Sequence, residues 1–343
     1  MSTKGISTDH ARSVIAVLGA GSWGTALAVL LAGNGQTTLL WGHDKAQMAA
    51  MAAQRCNPRY LAEVSFPPPL HVEGDLGRAV RMAEDLVLAV PTQAFRALLQ
   101  ELAPHLSAAA RVAWASKGLE PGTGKLLHEV AAEVLGAARP AAVVSGPTFA
   151  REVAMGLPTA VTVASTAAGF AAELAARLRN NHFRAYTSDD VVGVEVGGAV
   201  KNILAIAAGI ADGLGFGANT RAALVTRGLA EMMRLGVVLG GRRETFMGLA
   251  GLGDLVLTCT DDQSRNRRVG LALARGQSVA EACAGVGQVA EGVHAAREVR
   301  GLAHKHGVEM PITEQVCRVL YEGLAPRAAV QTLLQREQKA ETL

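Results

Sequence analysis

The sequence predicts an α/β protein: a Rossmann-like, mostly parallel sheet in residues 1–190, followed by an all-helical C-terminal domain in residues 191–343. Three observations carry this reading. Short apolar runs alternate with Ala/Leu-rich helical stretches through the first half, the pattern of parallel strands covered on both faces. Past about Asp190, helical segments follow one another and convincing strands stop. Between the first strand and the first helix stands G-A-G-S-W-G, residues 19–24, where a tight glycine turn belongs.

The elements follow in order. Residues 1–13 are polar and lack the apolar segment of a signal peptide, so they read as a flexible extension. Strands are expected at Val14–Leu18, Thr37–Trp41, Leu86–Val90, Arg111–Ala115, Ala141–Ser145, Thr159–Ala164 and Phe183–Tyr186. The helical region has no repeat of fixed period.

Composition excludes several classes. Half of the 343 residues are hydrophobic and 18% are charged, a globular composition. A net charge of +3 with few aromatics gives neither the basic footprint nor the stacking platforms of a nucleic-acid binder. Lys201 and Asp212 interrupt the longest apolar run, so no membrane insertion is expected. Four cysteines occur without C-x-x-C pairing or metal spacing, and read as buried free thiols in a reducing cytoplasm.

The glycine motif is informative because of its context. Gly19 permits the tight turn, Gly21 the close approach of a pyrophosphate, and Gly24 close helix–strand packing. The free N–H groups at the helix start face the phosphates. The second strand ends L-L-W-G-H-D. Asp44 is placed either to bind the ribose or to cap the helix D-K-A-Q-M-A-A-M, and capping is the better fit. The strand end then offers His43 and no carboxylate to repel a 2′-phosphate. The cofactor is therefore read as NADPH or NADH, with NADP(H) favoured.

Four more segments stand out: A-S-K-G-L-E at 115–120, S-G-P-T-F-A at 145–150, V-G-G-A-V-K-N at 196–202, and G-L-G-D-L-V-L-T-C with S-R-N-R-R-V-G across 251–270. With G-A-G-S-W-G-T-A-L, their order and combination closely resemble the bacterial NAD(P)-dependent glycerol-3-phosphate dehydrogenases, from about Ile15 to Tyr321. The resemblance implies reduction of dihydroxyacetone phosphate to sn-glycerol 3-phosphate for glycerophospholipid synthesis. Lys201 becomes the general acid or base, and Lys117 touches substrate and cofactor. The resemblance carries Gly146, Thr148, Asp254, Ser264, Arg265 and Asn266 onto the substrate. Cofactor contacts fall on Ser22, Trp23, Tyr60, Ala150, Arg265, Val289 and Glu291.

The residue chemistry is coherent. Hydride transfer leaves alkoxide character on the carbonyl oxygen, and a positioned cation that donates a proton completes the step. Lys201 can do both. Its i±3 and i±4 neighbours, Gly197, Gly198, Leu204 and Ala205, form a small face that another backbone or a ligand can approach. Burial should lower its pKa. Asp254, among Gly248, Gly251 and Gly253, can accept from substrate hydroxyls, orient Lys201 or cap a helix. Ser264, Arg265 and Asn266 offer a hydroxyl, a planar cation and an amide, a set that suits a phosphate. A β-hydroxyacid dehydrogenase of the same architecture is the competing enzyme. It places the partner asparagine one turn after the lysine, where this chain has Ala205. A non-catalytic nucleotide sensor would not need Lys117, Lys201, Asp254 and Arg265 together. The partners expected are a small phosphorylated substrate and a second copy in a homodimer.

Overall fold

The computed structural model describes residues 13–337, so the expected N-terminal extension lies, but for Ser13, outside the described residues. Ten strands form among them: β1 (Ile15–Leu18), β2 (Thr38–Trp41), β3 (Cys56–Asn57), β4 (Leu61–Ser65), β5 (Leu70–Glu73), β6 (Asp85–Leu88), β7 (Arg111–Trp114), β8 (Ala141–Ser145), β9 (Thr159–Ala164) and β10 (Phe183–Ser188). Eight make one sheet in the order β10-β9-β8-β7-β6-β1-β2-β5, while β3 and β4 form a separate antiparallel pair. Neighbours run parallel except β8 and β9.

The seven expected strands are all present. The three unexpected ones have weak signals. β3 has two residues, β4 buries only Leu61 and Val64, three apart and off the strand period of two, and β5 is an edge strand behind Pro67-Pro68-Pro69 with only Leu70 fully covered. Proline beside a short run argues against a strand.

No strand follows Ser188 among the described residues; the helix Val191–Gly213 comes next. Its start is fixed by Asp190. One carboxylate oxygen accepts from Gly193 N at 2.8 Å, the other from Arg242 N at 2.8 Å and Thr245 Oγ1 at 2.5 Å. This helix is long and apolar enough to cross a membrane by length and composition alone, even with Lys201 and Asp212 in it. The apolarity has another cause: 89% of its most apolar window is buried in the protein. The helix Arg265–Ala274 crosses it at glycines. A Cβ on Gly209 would lie 2.1 Å from Arg267 O, and one on Gly270 2.1 Å from Ile206 O.

Candidate active site

Strand register builds one wall of the site. Leu18 stands beside Trp41 and Leu88, and Leu88 beside Trp114. The residues just beyond, Gly19, Gly42, Ala89 and Ala115, therefore line up along the carboxyl edge of the sheet, where open α/β sheets bind ligands. They face a cavity of about 1240 Å³ whose other wall is helical and carries Lys201, Asp254 and residues 264–266. Single-ligand pockets span roughly 300–1,000 Å³, so this one has room for a dinucleotide and a small substrate together.

At the glycine end, Gly19 adopts φ +124 and a Cβ there would lie 2.5 Å from Ala89 O. A Cβ on Gly24 would lie 1.8 Å from Gly19 O, so Gly24 packs beneath the loop and not in the cavity. A Cβ on Gly21 would meet nothing within 4 Å. That open side suits a pyrophosphate. The helix Ser22–Gly33 has no side-chain cap and no acid in its first turn, which leaves its N–H groups and positive end for an anion. Trp23 lines the cavity with its indole N–H buried and unpartnered.

At the end of β2, Asp44 caps the helix Lys45–Gln54, accepting from Gln47 N at 3.0 Å. It does not line the cavity; exposed His43 does, beside Tyr60 and Arg59. The Arg59 guanidinium lies 5.2 Å over the Tyr60 ring.

At the opposite end, three residues far apart in sequence meet. Lys201 Nζ donates to Asp254 Oδ1 at 2.6 Å and to Thr258 Oγ1 at 3.0 Å. Lys117 Nζ donates to Asp254 Oδ2 at 2.7 Å and to the Gly146 carbonyl at 3.1 Å. Asp254 is 1% exposed and Lys201 6%. Burial pushes the Lys201 ammonium down to about 8, against the pull of Asp254 and with help from Lys117. Burial alone would raise Asp254, but Lys117 and Lys201 outweigh it and hold the carboxyl below its usual range. Burial raises Glu291, opposed by Arg265 and the two lysines. Asp254 is thus not a helix cap; it opens the helix Asp254–Thr260, whose N-cap position belongs to Gly253.

Of the two occupants expected at the small face beside Lys201, a backbone or a ligand, it is a backbone that approaches Gly197. A Cβ on Gly197 would lie 2.5 Å from Ala250 O, and one on Gly198 3.2 Å from Ser145 Oγ and 3.5 Å from Lys117 Cγ. Protein, not substrate space, fills both positions: the turn Leu249–Gly253 on one, the Lys117 stem on the other.

Next to the lysines, Ser264 caps the helix Arg265–Ala274 by accepting from Arg267 N at 3.2 Å. Asn266 donates to Asn202 Oδ1 at 2.9 Å and accepts from Gly292 N at 2.9 Å, and Asn202 donates to Gly198 O at 3.2 Å. Arg267 is committed to Asp212 and Asp262. Arg265 donates to Gln288 Oε1 at 3.1 Å, and the same oxygen accepts from Ser22 Oγ at 3.3 Å.

Every residue expected at the site lines the cavity except Gly24 and Gly146. Gly146 (φ +154) lies behind it, its carbonyl engaged by Lys117 and also accepting from Thr148 Oγ1 at 3.2 Å. The sequence reading missed Thr258 and Gln288. Thr258 could have been found, since it lies one helical turn (i+4) from Asp254 and so shares its face. Gln288 falls in a loop, where no periodicity points. Of the four free cysteines, Cys259 and Cys317 are buried, but Cys56 and Cys283 are only half-buried, contrary to expectation.

The cavity asks for two ligands, a dinucleotide at the glycine loop and a small anionic carbonyl compound or alcohol beside the lysines. That demand defines an NAD(P)-dependent dehydrogenase. Family models described as NAD-dependent glycerol-3-phosphate dehydrogenase N-terminus and C-terminus match residues 14–171 and 190–331, and the chain belongs to that family. It is 60% identical over 325 residues to a glycerol-3-phosphate dehydrogenase (NAD(P)+) of Nitrosococcus oceani, covering 95% of this chain and 94% of that one. A relative of the same name from Thioalkalivibrio sulfidiphilus is 58% identical over 327 residues, covering 95% and 98%. Among solved structures, the glycerol-3-phosphate dehydrogenase of Coxiella burnetii superposes with a TM-score of 0.93 at 51% identity, covering 95% of this chain and all (100%) of that one. These matches do not favour a β-hydroxyacid dehydrogenase.

Proposed function

We propose that the chain reduces dihydroxyacetone phosphate to sn-glycerol 3-phosphate with NADPH or NADH, NADPH being preferred. The carrying observation is Lys201, held at 2.6 Å by Asp254 on the cavity wall, next to the Ser264–Arg265–Asn266 set. When bound, the reduced nicotinamide supplies the hydride. The open side of Gly21 and the uncapped helix start fit its pyrophosphate. Lys201 then protonates the carbonyl oxygen, and its lowered pKa suits proton exchange near neutrality. Lys117 adds positive charge beside the developing alkoxide. Asp254 keeps both ammonium groups aimed, and Thr258 fixes the Lys201 head from a second side. Arg265, with Ser264 and Asn266, holds the phosphate.

Residues 1–190 serve as the dinucleotide-binding domain and residues 191–343 as the substrate domain. The enzyme works in the cytoplasm, off the membrane, either alone or as a homodimer, and its product supplies glycerophospholipid synthesis. The test is spectrophotometric oxidation of NADPH and NADH, separately, with dihydroxyacetone phosphate and with a panel of 2- and 3-keto acids. Turnover confined to the phosphorylated ketone is expected; faster turnover of a keto acid overturns the reading.

A further inference from the structure

Glu195 lies on the same helix as Lys201, six residues earlier (201 − 195 = 6). At about 1.5 Å per residue that is about 9 Å along the axis, and about one and two-thirds turns around it. The two side chains therefore leave the helix in different directions. Glu195 is 5% exposed, and a carboxylate is retained at such depth only with partners. It has three. Oε1 accepts from Trp114 Nε1 at 2.9 Å and from His128 N at 3.0 Å; Oε2 accepts from His128 Nδ1 at 2.6 Å.

The donors have a common origin. Trp114 closes β7 three residues before Lys117, and His128 stands in the first turn of the helix Leu127–Leu135, the next helix after that strand. Glu195 thus ties the helix that delivers Lys201 to the strand that delivers Lys117. Gly198 lies between the two ties, close enough to the Lys117 stem that a Cβ there would sit 3.5 Å from Cγ. The lysines then meet on the two oxygens of Asp254, at 2.6 and 2.7 Å.

We propose that Glu195 is a positioning residue for the reaction centre: its bonds to Trp114 and His128 set where Lys117 and Lys201 converge. It touches neither substrate nor cofactor. The inference rests on reading Lys117, Asp254 and Lys201 as that centre.

A second buried carboxylate of the same build provides the control. Glu231 is 1% exposed and accepts from Ile312 N at 2.6 Å and from Thr313 N and Oγ1 at 3.2 Å each. It joins the helices Ala218–Val238 and Pro311–Tyr321, and neither it nor its partners line the cavity. Glu195→Leu and Glu231→Leu should both lower Tm. Only Glu195→Leu should cut kcat, by about 10- to 100-fold, the cost of a misplacement near 1 Å, with KM for NADPH unchanged. Glu195→Gln keeps the oxygen that accepts from Trp114 and His128, and should restore kcat to within a few-fold. Should Glu195→Leu fail to fold, Trp114→Phe removes one donor while keeping an aromatic ring and should still lower kcat more than KM.

Three results overturn the proposal: a normal kcat in folded Glu195→Leu (or, in its place, in Trp114→Phe), a kcat loss of equal size in Glu231→Leu, or a Glu195→Gln as slow as Glu195→Leu. Lys201→Met is assayed alongside. An active Lys201→Met would sink the reading of the centre itself, whereas an inactive one beside a normal Glu195→Leu removes only the positioning role.

Discussion

The two ends of the cavity are built on opposite plans. The glycine end is made by backbone, with an open side at Gly21, an uncapped helix start and no carboxylate committed to it. The lysine end is made by side chains already paired with one another, Lys117 and Lys201 on a single buried Asp254. An end built of backbone dipoles receives charge from its ligand. An end built of paired ions spends its own charge inside the protein and must redistribute it when the substrate arrives.

The largest way to break this contrast is Lys201→Met. It removes the acid but leaves Asp254 paired with Lys117. Turnover should fall by about 10³-fold, the mid-range worth of a positioned general acid. NADPH affinity, read by fluorescence titration, should stay within about 2-fold, because Lys201 bonds Asp254 and Thr258 at the other end of the cavity from the glycine loop. A variant with near-normal kcat removes Lys201 from the chemistry.

Arg265→Ala probes the border between the ends, since Arg265 and Ser22 share one oxygen of Gln288. Losing a charged hydrogen bond of about 1.5–3 kcal/mol predicts a roughly 10- to 100-fold rise in KM for the phosphorylated ketone. If KM for NADPH rises as much, Arg265 belongs to the glycine end and the division fails.

The third prediction uses pH. Lys201 carries its proton below about 8, well under the ordinary lysine value of 10.5. Ketone reduction needs that proton, so kcat/KM should be level below about pH 8 and fall tenfold per unit above it. Oxidation of the alcohol needs the neutral amine, so its kcat/KM should rise through the same value and then level. Profiles that do not mirror each other would assign the proton to another group.

The same contrast explains what the sequence could reveal. The glycine end was legible because strand, turn and helix are consecutive, so spacing alone positions Gly19, Gly21 and Gly24. Seven strands were legible from continuous apolar runs; β3, β4 and β5 were not, being short, half-covered or beside prolines. At the lysine end, residues 117, 201 and 254 are brought together only by tertiary packing. Chemistry and family resemblance could nominate them, but no periodicity shows that Asp254 takes both lysines. The face beside Gly197 shows the same limit: a one-dimensional pattern marks a small face open to a backbone or a ligand without saying which fills it, here the Ala250 carbonyl.

The smallest effect, and the finest test of the glycine end, is His43→Asp. The carboxylate nearest the end of β2 belongs to Asp44, and it is occupied at the start of its helix, 3.0 Å from Gln47 N. The wild-type rim therefore sets exposed His43 and Arg59, and no acid, where an adenosine ribose would lie beyond β2. An aspartate at position 43 brings a carboxylate to that rim, able to accept from a 2′-hydroxyl and to repel a 2′-phosphate. The NADPH/NADH ratio of kcat/KM should shift several-fold toward NADH and no further, because exposed charges are screened and each is worth about 1 kcal/mol or less. The shift should shrink as salt is raised, while kcat with dihydroxyacetone phosphate stays constant. A ratio that does not move places the 2′-phosphate away from His43. A ratio that moves together with a loss of kcat shows that the two ends are coupled, since a change at the rim would then have reached Lys201.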